Sequence, residues 1–319
     1  MENEQHAPTP DAAHAPEPEA ALPELTLETL PQALRAACDR AGWTALTPVQ
    51  AKGLPPLLEG RDMMVQARTG SGKTGAFVLP MLQLLDPSRA ECQALVLVPT
   101  RELANQVARE AETLLADTGL RVIAVYGGVG YGPQIEAFRQ GAHLVVGTPG
   151  RILDHLLKRS LTLDHLRMLV FDEADRMLSI GFYPDMKEVQ RYLPKRKVHS
   201  SMFSATFPGH VLRLAEEFLD KPQMLSLSGA QVHVAEIAHT YYEVPAMGRE
   251  RCLMRIIEVE QPAQAIIFCN KKSDVHFVSA VLQQFGYDAD ELSADLSQNK
   301  REEVLARVAI LNAKGRLSG

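Results

Sequence analysis

The stretch from Asp62 to Thr74, Asp-Met-Met-Val-Gln-Ala-Arg-Thr-Gly-Ser-Gly-Lys-Thr, limits what this chain can fold into more than any other. Met63, Met64, Val65 and Ala67 read as a short buried strand. Gly70 and Gly72 let the backbone turn with its N–H groups facing inward, and Gly75 to Leu85 continues as a mostly apolar helix. A triphosphate suits such a helix start, where N–H groups without carbonyl partners and the positive end of the helix dipole favour anions. Lys73 would then reach the β- and γ-phosphates, and the Thr74 hydroxyl would ligate Mg²⁺. The generic motif opens on Gly, and that position here is Ala67. Taken alone, the loop could also be a glycine-rich turn that binds nothing.

At 319 residues, 46% of them hydrophobic, the chain has room for about two domains with buried cores. Its formal charge of −6 is unevenly placed: residues 1 to 24 hold six acids and no Lys or Arg, leaving 33 charges of each sign in residues 25 to 319. A nucleic acid would therefore have to be held by local Arg and Lys and by backbone dipoles, not by a broad basic field. Cys38, Cys92, Cys252 and Cys269 lie far apart in mostly apolar surroundings. They read as buried thiols, which suits a reducing cytoplasm. Residues 1 to 22 lack the basic and apolar regions of a signal peptide, and no segment approaches the roughly 18 apolar residues of a membrane span. A soluble cytoplasmic protein is expected, with residues 1–24, rich in Ala, Pro and Glu, as a disordered tail.

Short apolar runs then alternate with helical patterns. Asp62 to Ala67, Ala94 to Val98, Val122 to Tyr126, Leu144 to Val146, Met168 to Phe171, Ser201 to Phe203 and Met224 to Leu227 read as strands. This is the pattern of an α/β fold, a parallel sheet with helices on both faces, whose ligands gather beyond the carboxyl ends of the strands. The polar signatures sit there: the glycine-rich loop, Pro99 to Glu102, Gly127-Gly128, Gly147 to Arg151, Asp172 to Asp175 and Ser204 to Thr206. After a linker at 229–235 a second alternation begins, with Thr240 to Val244, Ala265 to Cys269 and Tyr287 to Leu292 as strands. The domains expected are 25–228 and an incomplete 236–319.

The acidic cluster bears on the chemistry. Met168 to Phe171 is an apolar strand, so Asp172 stands at its carboxyl end, where it can hold Mg²⁺ directly or through water. Glu173 can orient or deprotonate an attacking water. Elsewhere Asp-Glu-Ala-Asp is commonly an exposed helix start. Behind a buried strand and downstream of a phosphate loop, it supplies the two groups a P-loop hydrolase still lacks.

Gly42-Trp43 with Thr47-Pro48-Val49-Gln50, Ala67 to Thr74, Pro99 to Ala104, Gly127-Gly128, Thr148 to Arg151, Asp172 to Asp175 and Ser204 to Thr206 stand in the order and spacing of DEAD-box ATP-dependent RNA helicases. From about Leu25 to Arg307 the chain resembles that family. The resemblance implies two RecA-like domains, the first a P-loop NTPase and the second partial here, that close on ATP and RNA together. It assigns Ala67, Arg68, Thr69, Gly70, Ser71, Gly72, Lys73 and Thr74 to the nucleotide. Gln50 would read adenine, its amide matching the N6 donor and N7 acceptor of that base. Trp43 would cover the base or pack the preceding helix. Asp175, Ser204 and Thr206 would link the nucleotide and RNA sites. Pro99, Arg101, Gly128, Thr148, Gly150, Arg151, Gln298 and Arg301 would contact the RNA backbone without reading sequence.

The chain departs from the family at several positions. Leu25 stands where an aromatic residue is usual, Arg68 where Gln is, and Ser179 where Asp is common. In the second domain Ala265 to Lys272 carries Lys271 for Thr, and Ser293-Ala294 replaces His-Gly. After Arg307 the family continues to motifs that supply arginine fingers, whereas this chain gives Val308 to Gly319. The expectation is a truncated or frame-shifted copy: either an RNA helicase that hydrolyses ATP, impaired by that loss, or a nucleotide- and RNA-binding remnant without productive turnover. A P-loop kinase would leave Pro99 to Ala104 and Thr148 to Arg151 without a role.

Overall fold

The computed structural model describes residues 24–227, 238, 240–244, 248–297 and 300–307. The tail before residue 24, the linker at 229–235, Gln298 and the stretch from Val308 onward lie outside the described residues. The chain divides into two units, Met1–Val232 and His233–Gly319.

In the first unit α1 (Gln32–Arg40) and α2 (Pro48–Leu58) lead into β1 (Met63–Gln66), α3 (Lys73–Val78) and α4 (Met81–Leu84). Then come β2 (Ala94–Leu97), α5 (Arg101–Leu114), β3 (Val122–Val125), α6 (Tyr131–Gln140), β4 (Leu144–Gly147) and α7 (Pro149–Leu157). The unit ends with β5 (Met168–Asp172), α8 (Ala174–Ile180), α9 (Tyr183–Gln190), β6 (His199–Ser204), α10 (Gly209–Phe218) and β7 (Gln223–Ser226). Every expected strand of this unit forms, and no end moves by more than two residues.

The seven strands form one parallel sheet in the order β3-β4-β2-β5-β6-β1-β7. β2, β4 and β5 bury every residue, as strands covered by helices on both faces must. The two-residue period of a strand sends neighbours to opposite cores. Met63 and Val65 join Phe77 and Phe203 in one core, while Met64 joins Leu95, Phe171 and Met202 in the other. The Phe77 and Phe203 rings meet edge-on at 5.3 Å, which pins α3 to β6. Register brings Leu97 opposite Phe171 and Gly147, so the loops after these strands leave the sheet along one edge.

Two expectations need correction. The helix foreseen over Gly75 to Leu85 begins at Lys73 and breaks after Val78, resuming at Met81. Pro80 is the reason, since it has no N–H to give the carbonyl of Ala76. In the second unit α11 (Arg249–Glu260), α12 (Lys272–Gln284) and a helical segment at 300–307 form, but Thr240–Val244, Ala265–Cys269 and Tyr287–Leu292 carry no strand. A strand exists only with a hydrogen-bonded neighbour, and among the described residues of this unit none of these segments finds one. Ile266 and Phe268 are left 75% and 91% exposed. Among the described residues no helix is long and apolar enough to cross a membrane.

Candidate functional site

The phosphate loop is braced from behind. Gly70 and Gly72 take φ of +80° and +88°, a region that favours glycine. Gly72 also has no room for a side chain: a Cβ there would lie 2.7 Å from Thr47 Oγ1 and 2.8 Å from Gln50 Nε2. Gln50 fixes this arrangement with both ends of its amide. Oε1 accepts the Thr47 N–H at 2.9 Å, closing the first turn of α2, and Nε2 donates to the Gly72 carbonyl at 3.0 Å. One N–H and one lone pair of that buried amide remain for a base. Trp43 packs against the core beside α3, so close that a Cβ on Gly75 would meet its ring at 2.2 Å. That contact is with α3, which follows the loop, whereas the packing foreseen for Trp43 is on the helix preceding that residue.

One hydroxyl of the loop, Ser71 Oγ, is buried with no hydrogen-bond partner. Buried polar groups rarely go unsatisfied, and donors beside a glycine turn fit a phosphate. Thr74, expected to ligate metal, has its hydroxyl beside Glu110 of α5. Burial raises the Glu110 carboxyl above its ordinary range, and the Thr74 hydroxyl pulls it back.

Across the loop, Lys73 Nζ lies 3.6 Å from Asp172 Oδ1 and 3.4 Å from the Ala67 carbonyl. Burial pushes the Asp172 carboxyl up to about 6; Lys73 opposes the rise and Glu173 adds to it. Glu173 sits in the left-handed region at φ +55°, a conformation that for a non-glycine residue costs on the order of 1 kcal/mol. Its carboxylate is held at both oxygens: Oε1 accepts from Thr69 Oγ1 at 3.3 Å, and Arg176 stands 3.5 Å from Oε2. A carboxylate so aimed can orient a water. Among the described residues no group of three or more His, Cys, Asp or Glu could hold a metal. The oxygen donors present at the loop, the Asp172 carboxylate and the Thr74 hydroxyl, are of the kind Mg²⁺ takes, since it is usually held by one or two carboxylates together with substrate phosphates.

Asp175 connects two loops. Its Oδ2 accepts the Thr206 N–H at 3.2 Å and the Thr206 hydroxyl at 2.8 Å, while its own N–H donates to Ser204 Oγ at 3.2 Å. Gln66, which the sequence did not single out, adds a third tie by donating to the Ala205 carbonyl at 3.2 Å. A polar residue at the end of a buried strand was the available signal.

The remaining residues cluster farther along the same edge. The Arg101 guanidinium lies over Gly128, where a Cβ would meet it at 2.2 Å, and Gly128 itself takes φ +83°. Thr148 caps α7, and the missing side chain of Gly150 lets Asp185 pack against that helix start. Arg151, expected on the RNA backbone, is instead turned inward. It is 7% exposed, donates to Gln134 Oε1 and the Val129 carbonyl, and places its guanidinium 3.8 Å from the Tyr131 ring centroid. A tyrosine face and two acceptors outbid solvent for this cation. Pro99 is buried just before α5. In the second unit Arg301 donates to the Ser293 carbonyl at 3.3 Å.

Comparison with known proteins places this geometry. The family model described as DEAD/DEAH box helicase matches residues 47–214, and the helicase conserved C-terminal domain matches 248–316. The chain is 39% identical over 278 residues to the ATP-dependent RNA helicase CshA of Listeria monocytogenes, covering 87% of this chain and 53% of that protein. It is 39% identical over 287 residues to the ATP-dependent RNA helicase DbpA of Escherichia coli, covering 89% of this chain and 62% of the relative. The chain thus spans about half to three-fifths of the length of these relatives. The solved structure of a DEAD box protein from Methanococcus jannaschii superposes with a TM-score of 0.59 at 34% identity, covering 90% of this chain and 76% of that one. The parallel sheet with its phosphate loop is the RecA-like fold, and the chain belongs to the DEAD/DEAH box helicase family.

Proposed function

We propose that this protein is an ATP-dependent RNA helicase that couples binding and hydrolysis of Mg²⁺·ATP to sequence-independent RNA binding and local strand separation. One observation carries the reading: the Lys73–Asp172 pair at 3.6 Å joins the phosphate loop to the end of β5, with Glu173 fixed beside it. Lys73 neutralises the terminal phosphates, and the loop N–H groups with the Ser71 hydroxyl cradle them. Gln50 turns its remaining donor and acceptor to adenine. Asp172 and Thr74 would hold the metal, which neutralises charge on the β- and γ-phosphates when bound. Glu173 orients the attacking water and takes its proton. Asp175, through Thr206 and Ser204, carries the state of that carboxylate pair to the loop after β6. Arg101 and the bare backbone at Gly128, Thr148 and Gly150 contact phosphates and 2′-hydroxyls, which report shape and not sequence.

The exposed apolar segments of the second unit favour a second reading, in which the chain binds nucleotide and RNA without productive turnover. Phosphate release by the purified 319-residue chain, with and without single-stranded RNA, separates the two. RNA-stimulated release that disappears in Glu173→Gln, with nucleotide binding retained, supports the helicase. Binding of both ligands without stimulated release supports the second reading, and binding of neither sinks both.

A further inference from the structure

Gln134 is the one buried residue of α6, and three of the four hydrogen-bonding positions of its amide are engaged. Nε2 donates to the Tyr126 carbonyl at 3.1 Å, while Oε1 accepts from Arg151 Nε at 3.1 Å and from His155 Nε2 at 2.8 Å. Arg151 in turn donates to the Val129 carbonyl. The loop Gly127-Gly128 is therefore clamped on both sides, directly at Tyr126 and through Arg151 at Val129, and both clamps meet at one glutamine. That glutamine also holds α7, whose first turn carries Thr148 and Gly150. No apolar side chain could do this, and a glutamate could accept from Arg151 and His155 but could not donate to Tyr126. The inward turn of Arg151 follows: it is the second arm of a latch whose centre is Gln134.

We infer that Gln134 is a positioning residue for nucleic-acid binding, setting the spacing between the Gly127-Gly128 loop and the start of α7 so that both reach one RNA backbone. This rests on the reading of that face as the RNA site. Losing it would leave Arg151 and His155 each short of a buried acceptor, a local penalty remote from the phosphate loop.

The test compares the full chain with Gln134→Met, which keeps length and removes every hydrogen bond, and with Gln134→Glu, which keeps the acceptor. Each is titrated with a labelled oligouridine in the presence of Mg²⁺ and a non-hydrolysable ATP analogue, and separately with the analogue alone. Gln134→Met is expected to weaken RNA binding about tenfold or more, with nucleotide affinity within about twofold of the parent. Gln134→Glu should recover part of the loss. Amide exchange at 127–130 and 148–151 should quicken in Gln134→Met while that of β5 holds. Unchanged RNA affinity in Gln134→Met overturns the inference, and so does a loss shared equally by nucleotide binding and β5 protection. If the parent itself binds no RNA, the RNA reading falls, and unaltered exchange in the two loops would then overturn the latch as well.

Discussion

Lys73 and Asp172 hold each other at 3.6 Å with side chains only 7% and 4% exposed, so each is the other's main compensation for leaving water. Removing one partner of such a pair costs about 3 to 5 kcal/mol when the other stays charged. Asp172 has an escape, because its carboxyl already titrates near 6 and can take up a proton. Lys73→Ala should therefore lower stability by roughly 1 to 3 kcal/mol and weaken MgATP binding about a hundredfold or more. The double variant Lys73→Met with Asp172→Asn should regain stability in urea denaturation but not nucleotide affinity. A Lys73→Ala chain that binds ATP as tightly as the parent would contradict the cradle.

Acid should act on the other side of the sheet through His155. Burial pushes its imidazole down to about 4, with Arg151 and Lys158 adding to the shift and Asp154 opposing it. The unfolded chain takes up that proton near pH 6.5 and the folded chain only near 4, so between these limits the unfolded state binds more protons and stability falls as pH falls. The contribution is on the order of 3 kcal/mol. Asp172 works in the opposite sense, since its raised value relieves an ionisation penalty over part of the same window. The readout is therefore the difference between variants: His155→Gln should flatten the loss of stability from pH 6.5 to 4, measured as urea midpoints. A curve parallel to the parent's would rule His155 out.

Gly72 and Gly70 separate strain from crowding. Both have positive φ, but a Cβ on Gly70 would meet nothing within 4 Å, whereas one on Gly72 would press on Thr47 and Gln50. Gly70→Ala should cost about 1 kcal/mol, and Gly72→Ala more, roughly 2 to 3 kcal/mol, with loss of nucleotide binding. Trp43 is the only tryptophan and packs beside α3, so its emission should report the change. Equal effects in the two variants would show that Thr47 and Gln50 do not shape the loop.

The first unit was legible because strand burial writes itself in sequence. Ala94 to Leu97 and Met168 to Phe171 are apolar throughout, and a wholly apolar run of that length between turn signals has few other uses. Motif order then pointed to the strand ends along one edge of the sheet, where the structure gathers these loops. What stayed hidden was orientation. Nothing in Thr-Pro-Gly-Arg says that Arg151 turns inward, because that depends on Gln134 and Tyr131 arriving from another helix. The same limit explains the second unit, where Ala265 to Cys269 has the composition of a strand while pairing depends on a neighbour that composition does not reveal.

Hydrogen exchange should show that contrast directly. Ala94–Leu97 pairs on both sides, with β4 and β5. Ala265–Cys269 and Tyr287–Leu292 form no strand, and Phe268 is 91% exposed. Amides in the latter two segments should exchange at least about a hundredfold faster than those of β2, since open backbone lacks the protection of a buried ladder. Comparable protection would mean that these segments pair in solution.

The last prediction concerns coupling. Thr206 gives Asp175 two hydrogen bonds at one oxygen, from its N–H at 3.2 Å and its hydroxyl at 2.8 Å. Asp175 lies in the first turn of α8, two residues after Glu173, so a shift of the carboxylate pair would reach the loop after β6 through this contact. Thr206→Val keeps shape and N–H and removes only the hydroxyl, a bond to a charged acceptor that contributes about 1.5 to 3 kcal/mol. Neither phosphate loop nor Arg101 is touched, so affinities for nucleotide and for RNA, each measured alone, should stay within about threefold. If the parent shows RNA-stimulated hydrolysis, the stimulation should fall about tenfold or more, because the two sites no longer share a rigid link. Thr206→Ser, which restores the hydroxyl, should recover it. Stimulation that survives in Thr206→Val would move the coupling elsewhere, with the Gln66 tie to Ala205 as the next contact to break.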